Sequence, residues 1–259
     1  MDIHMERNRW ASGDFWCGRV KAMVCVGLWA MVGFMPVMAL AETKSVAIVE
    51  LFTSQGCSSC PPADALLSEL SHTNDDVIAL AHHVDYWNYI GWEDPFSSPH
   101  ASMRQRSYVR VLSNWTSYTP QMVVDGAYDV AGYKRDAVFK HVGQSLQSHR
   151  VKRLSVEHSL DGEQAQVMLP LSLREDFVVW VVGYDGAHET HVERGENRGR
   201  RLINTHVVRH MDKASEEARA LGVIIIDIAG EKAQKRAGVA VLVQDGEVGP
   251  IVAAADVRF

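Results

Sequence analysis

The sequence predicts an α/β domain over residues 42–150 followed by a mostly β, sandwich-like domain over residues 151–259. Three observations predict it. The first stretch alternates short β-branched runs with segments whose leucines fall on one helical face. The second stretch is built of short apolar runs, several of them separated by Asp-Gly turns. The composition, 47% hydrophobic and 8% aromatic in 259 residues, is that of a globular chain and excludes disordered and low-complexity classes.

Residues 1–41 read as a signal peptide. Arg7, Arg9, Arg19 and Lys21 precede an uncharged apolar run over residues 23–40, Pro36 breaks that run near its end, and Ala39-Leu40-Ala41 has the small-x-small pattern of a cleavage site. Cleavage after Ala41 is expected to leave a periplasmic or secreted chain with no membrane association; an uncleaved anchor, for which eighteen apolar residues just suffice, is the alternative. The formal net charge of −6 provides no basic field for a phosphate backbone, so nucleic-acid binding is excluded. Cys17 and Cys25 fall within the leader. Beyond it the cysteines are Cys57 and Cys60, in one Cys-x-x-Cys. In an oxidising compartment such a pair can cycle between dithiol and disulfide.

Residues 45–52 (SVAIVELF) form a buried strand, and after the cysteines Leu66, Leu67 and Leu70 mark a helix. Residues 77–84 form a second strand. An aromatic loop over residues 85–96 leads to Ser97-Ser98-Pro99, a serine-capped helix start with proline in its first turn, and that helix runs to about Leu112. Residues 121–124 and 128–131 flank Asp125-Gly126 as a hairpin, and residues 134–147 close the stretch as a helix. This order, strand, helix, strand, helix, hairpin, helix, is that of the thioredoxin fold. In the second stretch, strands are expected at residues 154–159, 164–169, 177–183, 202–211, 223–227, 239–245 and 251–259, with a helix at 213–220.

The Cys57-Ser58-Ser59-Cys60 segment joins the first strand to the helix after it. Backbone amides and the helix dipole favour a thiolate at the first cysteine, so Cys57 is expected to be the more exposed, attacking thiol and Cys60 the resolving one. A static disulfide and a metal site stand as alternatives. Thr119-Pro120 leads into the third strand where the thioredoxin fold carries a cis-proline, with Thr119 offering backbone groups to an extended substrate. Glu50 precedes Cys57 by seven residues on the first strand, a spacing that resembles, with one extra residue, that of the buried acid with which thioredoxins take the proton of the second cysteine; it is either such a proton carrier or a strand-end carboxylate. His83 and Asp85 share a face by alternation, and His83 supplies a third ligand in the metal alternative with Cys57 and Cys60. Trp87 and Trp92, with Tyr89 and Phe96, are expected to line a substrate surface. The polar, glycine-bearing residues 194–200 (RGENRGR) read as a solvated hairpin loop, the alternative being a loop that packs on the first domain or recognises an anionic group through its arginines.

The stretches VELFTSQGCSSCPPAD, HVDYWNYIGWEDPF, RQRSY, YTPQMVVDG, and RGENRGRRL followed by VVR resemble a bacterial family of exported, thioredoxin-like proteins whose function is not established. The resemblance covers both stretches and implies the fold and export. Two departures from better-known thioredoxins stand out. Ser58-Ser59 lacks the proline or histidine that tunes them, and Pro61-Pro62 follows at once, so the helix is expected to begin near Pro62.

Together these features predict a thiol–disulfide oxidoreductase acting on protein or small-molecule thiols and disulfides with a redox partner protein, and needing no cofactor. Cys57, Cys60, Pro120 and Glu50 are its catalytic candidates. The alternatives are a copper- or zinc-binding protein and a binding module with a structural disulfide.

Overall fold

The computed structural model describes residues 44–112, 116–173 and 177–259; the leader expected at residues 1–41 lies outside them. Strand β1 (Ser45–Thr53) is buried on both faces, which is why its sequence is apolar without alternation. It is followed by α1 (Pro61–Thr73), β2 (Val77–His83), α2 (Pro99–Val111), β3 (Gln121–Val124), β4 (Tyr128–Ala131) and α3 (Arg135–Ser148). Ser98 caps α2 as expected, its Oγ accepting from the His100 amide, with Pro99 in the first turn. Then come β5 (Val151–Arg153), β6 (Val156–His158), β7 (Gln164–Met168), β8 (Phe177–Asp185), β9 (His188–His191), β10 (Arg201–Asn204) and β11 (Val207–Lys213). The chain ends with α4 (Glu216–Leu221), β12 (Val223–Asp227), α5 (Ile228–Ala233), β13 (Arg236–Asp245) and β14 (Ile251–Arg258).

The expected fold class is corrected by the strand pairing. There is no α/β thioredoxin-like domain followed by a β-sandwich. Instead one mixed sheet of nine strands, in the order β2-β11-β8-β13-β14-β5-β1-β3-β4, draws strands from both stretches. Because β1 also pairs with β2, in parallel from Ala47↔Val77 to Thr53↔His83, the first seven strands of that order close a ring. β5 meets β1 at Ser45 and Val46, and β3 takes over the same edge from Val49 to Phe52. Val46, Ile48, Ile78, Leu80, Val182 and Leu242 fill the ring from inside. Closure leaves the long strands without free edges, which an open sandwich would have to protect.

Outside the ring, α1 and α3 cover β1, β2 and β3 through Leu66, Leu67, Leu70 and Val138. A separate three-stranded sheet, β12-β7-β6, covers β8, β13 and β14 through Val167, Ile224 and Ile226. Each fully buried leucine or isoleucine in these layers is worth about 1.5–3 kcal/mol. The strand expected over residues 202–211 is two strands in different sheets. His206 turns the chain at φ 54°, so that β10 pairs with β9 alone while β11 joins the ring. Among the described residues no helix is long and apolar enough to cross a membrane.

Candidate functional site

β1 hands the chain to residues 54–60, where Cys57 and Cys60 form a disulfide with Cα atoms 5.4 Å apart. The Cys57 amide donates to Ser54 O and the Cys60 amide to Cys57 O, so the segment is a pair of tight turns. The helix expected near Pro62 starts one residue earlier. Cys60 is its N-cap and takes helical dihedrals, φ −77° and ψ −36°, in spite of the proline after it. The amides of Ala63 and Asp64 donate to Cys60 O, so the second cysteine caps the positive end of α1.

Both cysteines are buried, Cys57 at 2% and Cys60 at 0% exposure, so Cys57 is the more exposed of the two only by a narrow margin. Ser58 and Ser59 are the exposed members of the turn. The β9–β10 hairpin covers the rest; Arg194, Glu196, Arg198, Gly199 and Arg200 are exposed, as a solvated hairpin loop requires, and Asn197 is the exception. Asn197 is fully buried, and its Nδ2 donates to Gln55 O and to Cys57 O, both at 2.9 Å. Glu196 Oε2 accepts from the Ser58 amide at 3.2 Å. Gly195 has φ +73°, and a Cβ there would stand 3.2 Å from Trp92 Cβ, so only glycine serves at this close turn. Replacing Asn197 with alanine removes both bonds to the turn. The Cys57–Cys60 bridge in Asn197→Ala is expected to be reduced by dithiothreitol about tenfold faster, the equivalent of one net hydrogen bond. An unchanged rate would show that the hairpin does not restrict access.

Gln55 ties the turn to its surroundings. Its amide donates to Asp94 Oδ2 at 2.8 Å, its Nε2 to Asn204 Oδ1 and Thr190 Oγ1, and its Oε1 accepts from Trp92 Nε1 at 3.1 Å. Trp87 Nε1 donates to Thr119 Oγ1 at 2.8 Å. The two tryptophans expected to face substrate are thus pinned into the wall around the turn, and Tyr89, 82% exposed, is the aromatic of that loop that faces solvent. The Thr119–Pro120 peptide is cis. Pro120 Cβ and Ala63 Cβ both lie within 3.2 Å of where a Gly132 side chain would begin, which sets Pro120 beside the first turn of α1.

Glu50 is not brought to the disulfide. Strand alternation turns it to the ring interior with Ile48, while Leu51 and Ala63 pack on the outer face. There it closes one mouth of the ring. Arg104 Nε donates to Glu50 Oε1 at 2.6 Å, Arg104 Nη2 and Tyr108 Oη donate to Oε2, and His82 Nε2 lies 2.9 Å from Oε1. Burial opposes ionisation of Glu50, but the Arg104 guanidinium and His82 hold its carboxyl well below the usual carboxylate range. The proton-carrier role read for Glu50 is therefore corrected to a structural one.

His83 does face the α1 side. Its Nδ1 lies 2.7 Å from Asp94 Oδ2, and Nε2 is buried without a partner. Asp85 diverges from it, accepting from Ser102 Oγ on α2. The metal alternative finds no assembled site: the two sulfurs are bonded to each other, and among the described residues no three His, Cys, Asp or Glu side chains are grouped to hold a metal ion.

Sequence reasoning passed over Asp64. It sits in the first turn of α1, 7% exposed, facing Thr53, His83, Asp94 and Asn204. Burial pushes its carboxyl up to about 6, against the opposing pull of His83 and of the Thr53 and Asn204 side chains. Asp94, also buried, is held below its ordinary value by His83 and by the amides of Gln55 and Phe96. The signal was present in the spacing. Asp64 precedes the buried Leu67 and Ser71 by three and seven residues, which puts an acid on the buried stripe of the helix.

A solved structure of an Agrobacterium tumefaciens protein resembles this chain with a TM-score of 0.67 at 26% identity, covering 83% of this chain and 95% of that one. HBP35 of Porphyromonas gingivalis, at 13% identity and a TM-score of 0.53 over 83% of this chain and 76% of that one, shares the fold alone. The curated proteins give no match. A family model does match, over residues 48–244, a span that takes in most of β1, the disulfide turn and the hairpin that covers it; the chain belongs to that family, DUF1223, whose members are described as proteins of unknown function.

Proposed function

We propose that this chain is an exported thiol–disulfide oxidoreductase whose Cys57–Cys60 pair exchanges with protein or small-molecule thiols. One observation carries the reading. The disulfide joins residues only three apart, so it links no distant parts of the chain, yet a polar network of Gln55, Asn197, Glu196 and Asp94 is built around it. A bridge closing so short a loop constrains the unfolded chain by about 2 kcal/mol, against nearly 5 kcal/mol for a loop of a hundred residues. A staple is poorly placed here, and a reactive pair is well placed. The burial of both sulfurs favours a second reading, a structural disulfide in a binding module.

Cys57 is the expected point of attack, because Cys60, the N-cap of α1, is fully enclosed while Cys57 keeps 2% exposure. In Cys60→Ser the remaining Cys57 thiolate should attack a disulfide substrate, release one of its halves as thiolate and keep the other as a stable mixed disulfide, whereas Cys57→Ser should trap little. Peptide mapping after incubation with an excess of a small disulfide reads this out. Preferential trapping at Cys60 reverses the assignment, and trapping at neither cysteine favours the structural disulfide.

A further inference from the structure

Opening a disulfide leaves sulfur anions that need protons, and Cys60 is fully enclosed, so water cannot supply one directly. We propose that Asp64 exchanges this proton with the Cys60 sulfur, an assignment that rests on the oxidoreductase reading. Asp64 follows Cys60 by four residues, its amide donates to Cys60 O at 3.1 Å, and Cys60 itself has helical dihedrals. Residues at this spacing on a helix lie one above the other on the same face. Asp64 Oδ1 is buried with no hydrogen-bond partner, a costly state for a group with no task.

The acids around it are otherwise engaged. Asp94 accepts from His83 and from two backbone amides, and Glu50 is locked to Arg104 on the opposite face of β1. The groups facing Asp64 are Thr53 from β1, His83 from β2, Asp94 from the loop before α2, and Asn204 from β10. A groove of about 350 Å³ between α1 and β10, lined among others by Pro61, Asp64, Arg201 and Ile203, gives solvent a route to the acid. Arg201 at its rim is paired to Glu189. A carboxyl with an ordinary value pushed up to about 6 holds its proton long enough to give it and stays acidic enough to be refilled.

The step balances as follows. A thiolate of the partner attacks Cys57 Sγ and forms a sulfur–sulfur bond with it. The Cys57–Cys60 bond breaks, its electron pair leaves on Cys60 Sγ, and that sulfur takes the proton of the Asp64 carboxyl. A second partner thiolate then attacks the partner sulfur of the mixed disulfide and releases Cys57 as thiolate. Water in the groove reprotonates Asp64. The partner thiols are oxidised to a disulfide and the protein disulfide is reduced to a dithiol.

The test is the rate of reduction of the full-length chain by dithiothreitol between pH 5 and 8, expressed per dithiothreitol thiolate. The parent should react faster below a midpoint near pH 6, where Asp64 carries its proton. Asp64→Asn should lose that midpoint and fall about a hundredfold behind the parent at pH 5. Asp64→Glu should keep a midpoint at a displaced pH, which a merely structural role would not produce. A profile in Asp64→Asn that superimposes on the parent's overturns the proton assignment. A midpoint that depends on Asp64, in a protein that exchanges with dithiothreitol but with no protein thiol or glutathione, retains the assignment and overturns the oxidoreductase reading. A folded chain whose disulfide resists dithiothreitol at every pH overturns both.

Discussion

Arg104→Met is expected to destabilise the protein by about 3–5 kcal/mol at pH 7, the cost of leaving a buried charge without its partner. The carboxylate left behind is that of Glu50, which is fully buried and receives hydrogen bonds from Arg104 through both of its oxygens. The same guanidinium also donates to Tyr108, Gln244 and the Glu247 carbonyl, so its loss opens the mouth of the ring. Urea denaturation of Arg104→Met, Glu50→Gln and the double variant measures the coupling. The double should lose less than the sum of the singles, because Glu50→Gln removes the orphaned charge. The sign with pH follows from the direction of the shift. A carboxyl depressed on folding adds stability above its ordinary value of 4.5 and loses it as the pH falls through the folded value. The gap between parent and Arg104→Met should therefore narrow below about pH 4. A variant that unfolds at the parent's urea concentration would show that the cluster carries no stability.

Asp64→Asn should act in the opposite direction and stabilise. Folding raises this carboxyl from 3.8 to about 6, so the protein favours the neutral acid and is penalised for holding the anion. A difference of about two pKa units corresponds to about 3 kcal/mol. The stability linked to Asp64 is fully present below pH 3.8 and is lost as the pH rises through about 6. Asn carries no such loss. The variant should match the parent near pH 4 and exceed it by about 3 kcal/mol at pH 8. Thermal or urea unfolding across that range decides it.

Much of the local structure was legible because it follows from periodicity and capping. The leucines of α1, the Ser98-Pro99 start of α2 and the Asp125-Gly126 hairpin are determined within a few residues of chain. The ring was not legible. Its closure depends on β11 meeting β2 at Val207↔Ala81 and on β5 meeting β1 at Val46↔Val151, pairings between residues about a hundred or more apart that leave no mark on either segment. The same holds at the site. The cysteine pair announces itself, and Thr119-Pro120 ahead of the third strand marks a cis-proline, which the structure carries. Asn197 reaches the disulfide only because β9 and β10 fold back across 140 residues, and its loop composition reads as solvated. Glu50 misled because spacing along a strand gives distance from Cys57 but not the face. Its alternation with Leu51 gave the face, once α1 was seen to cover the Leu51 side.

The proposed oxidoreductase requires Cys57 and Cys60 to form a working redox couple. It is tested most directly by equilibrating the folded chain in glutathione buffers of graded ratio and mapping the alkylated cysteines. A reversible two-electron transition of the Cys57–Cys60 pair is expected, with a midpoint above about −300 mV, within reach of a thiol pool. A bridge that stays closed through every buffer until the protein unfolds would contradict it and mark the disulfide as structural.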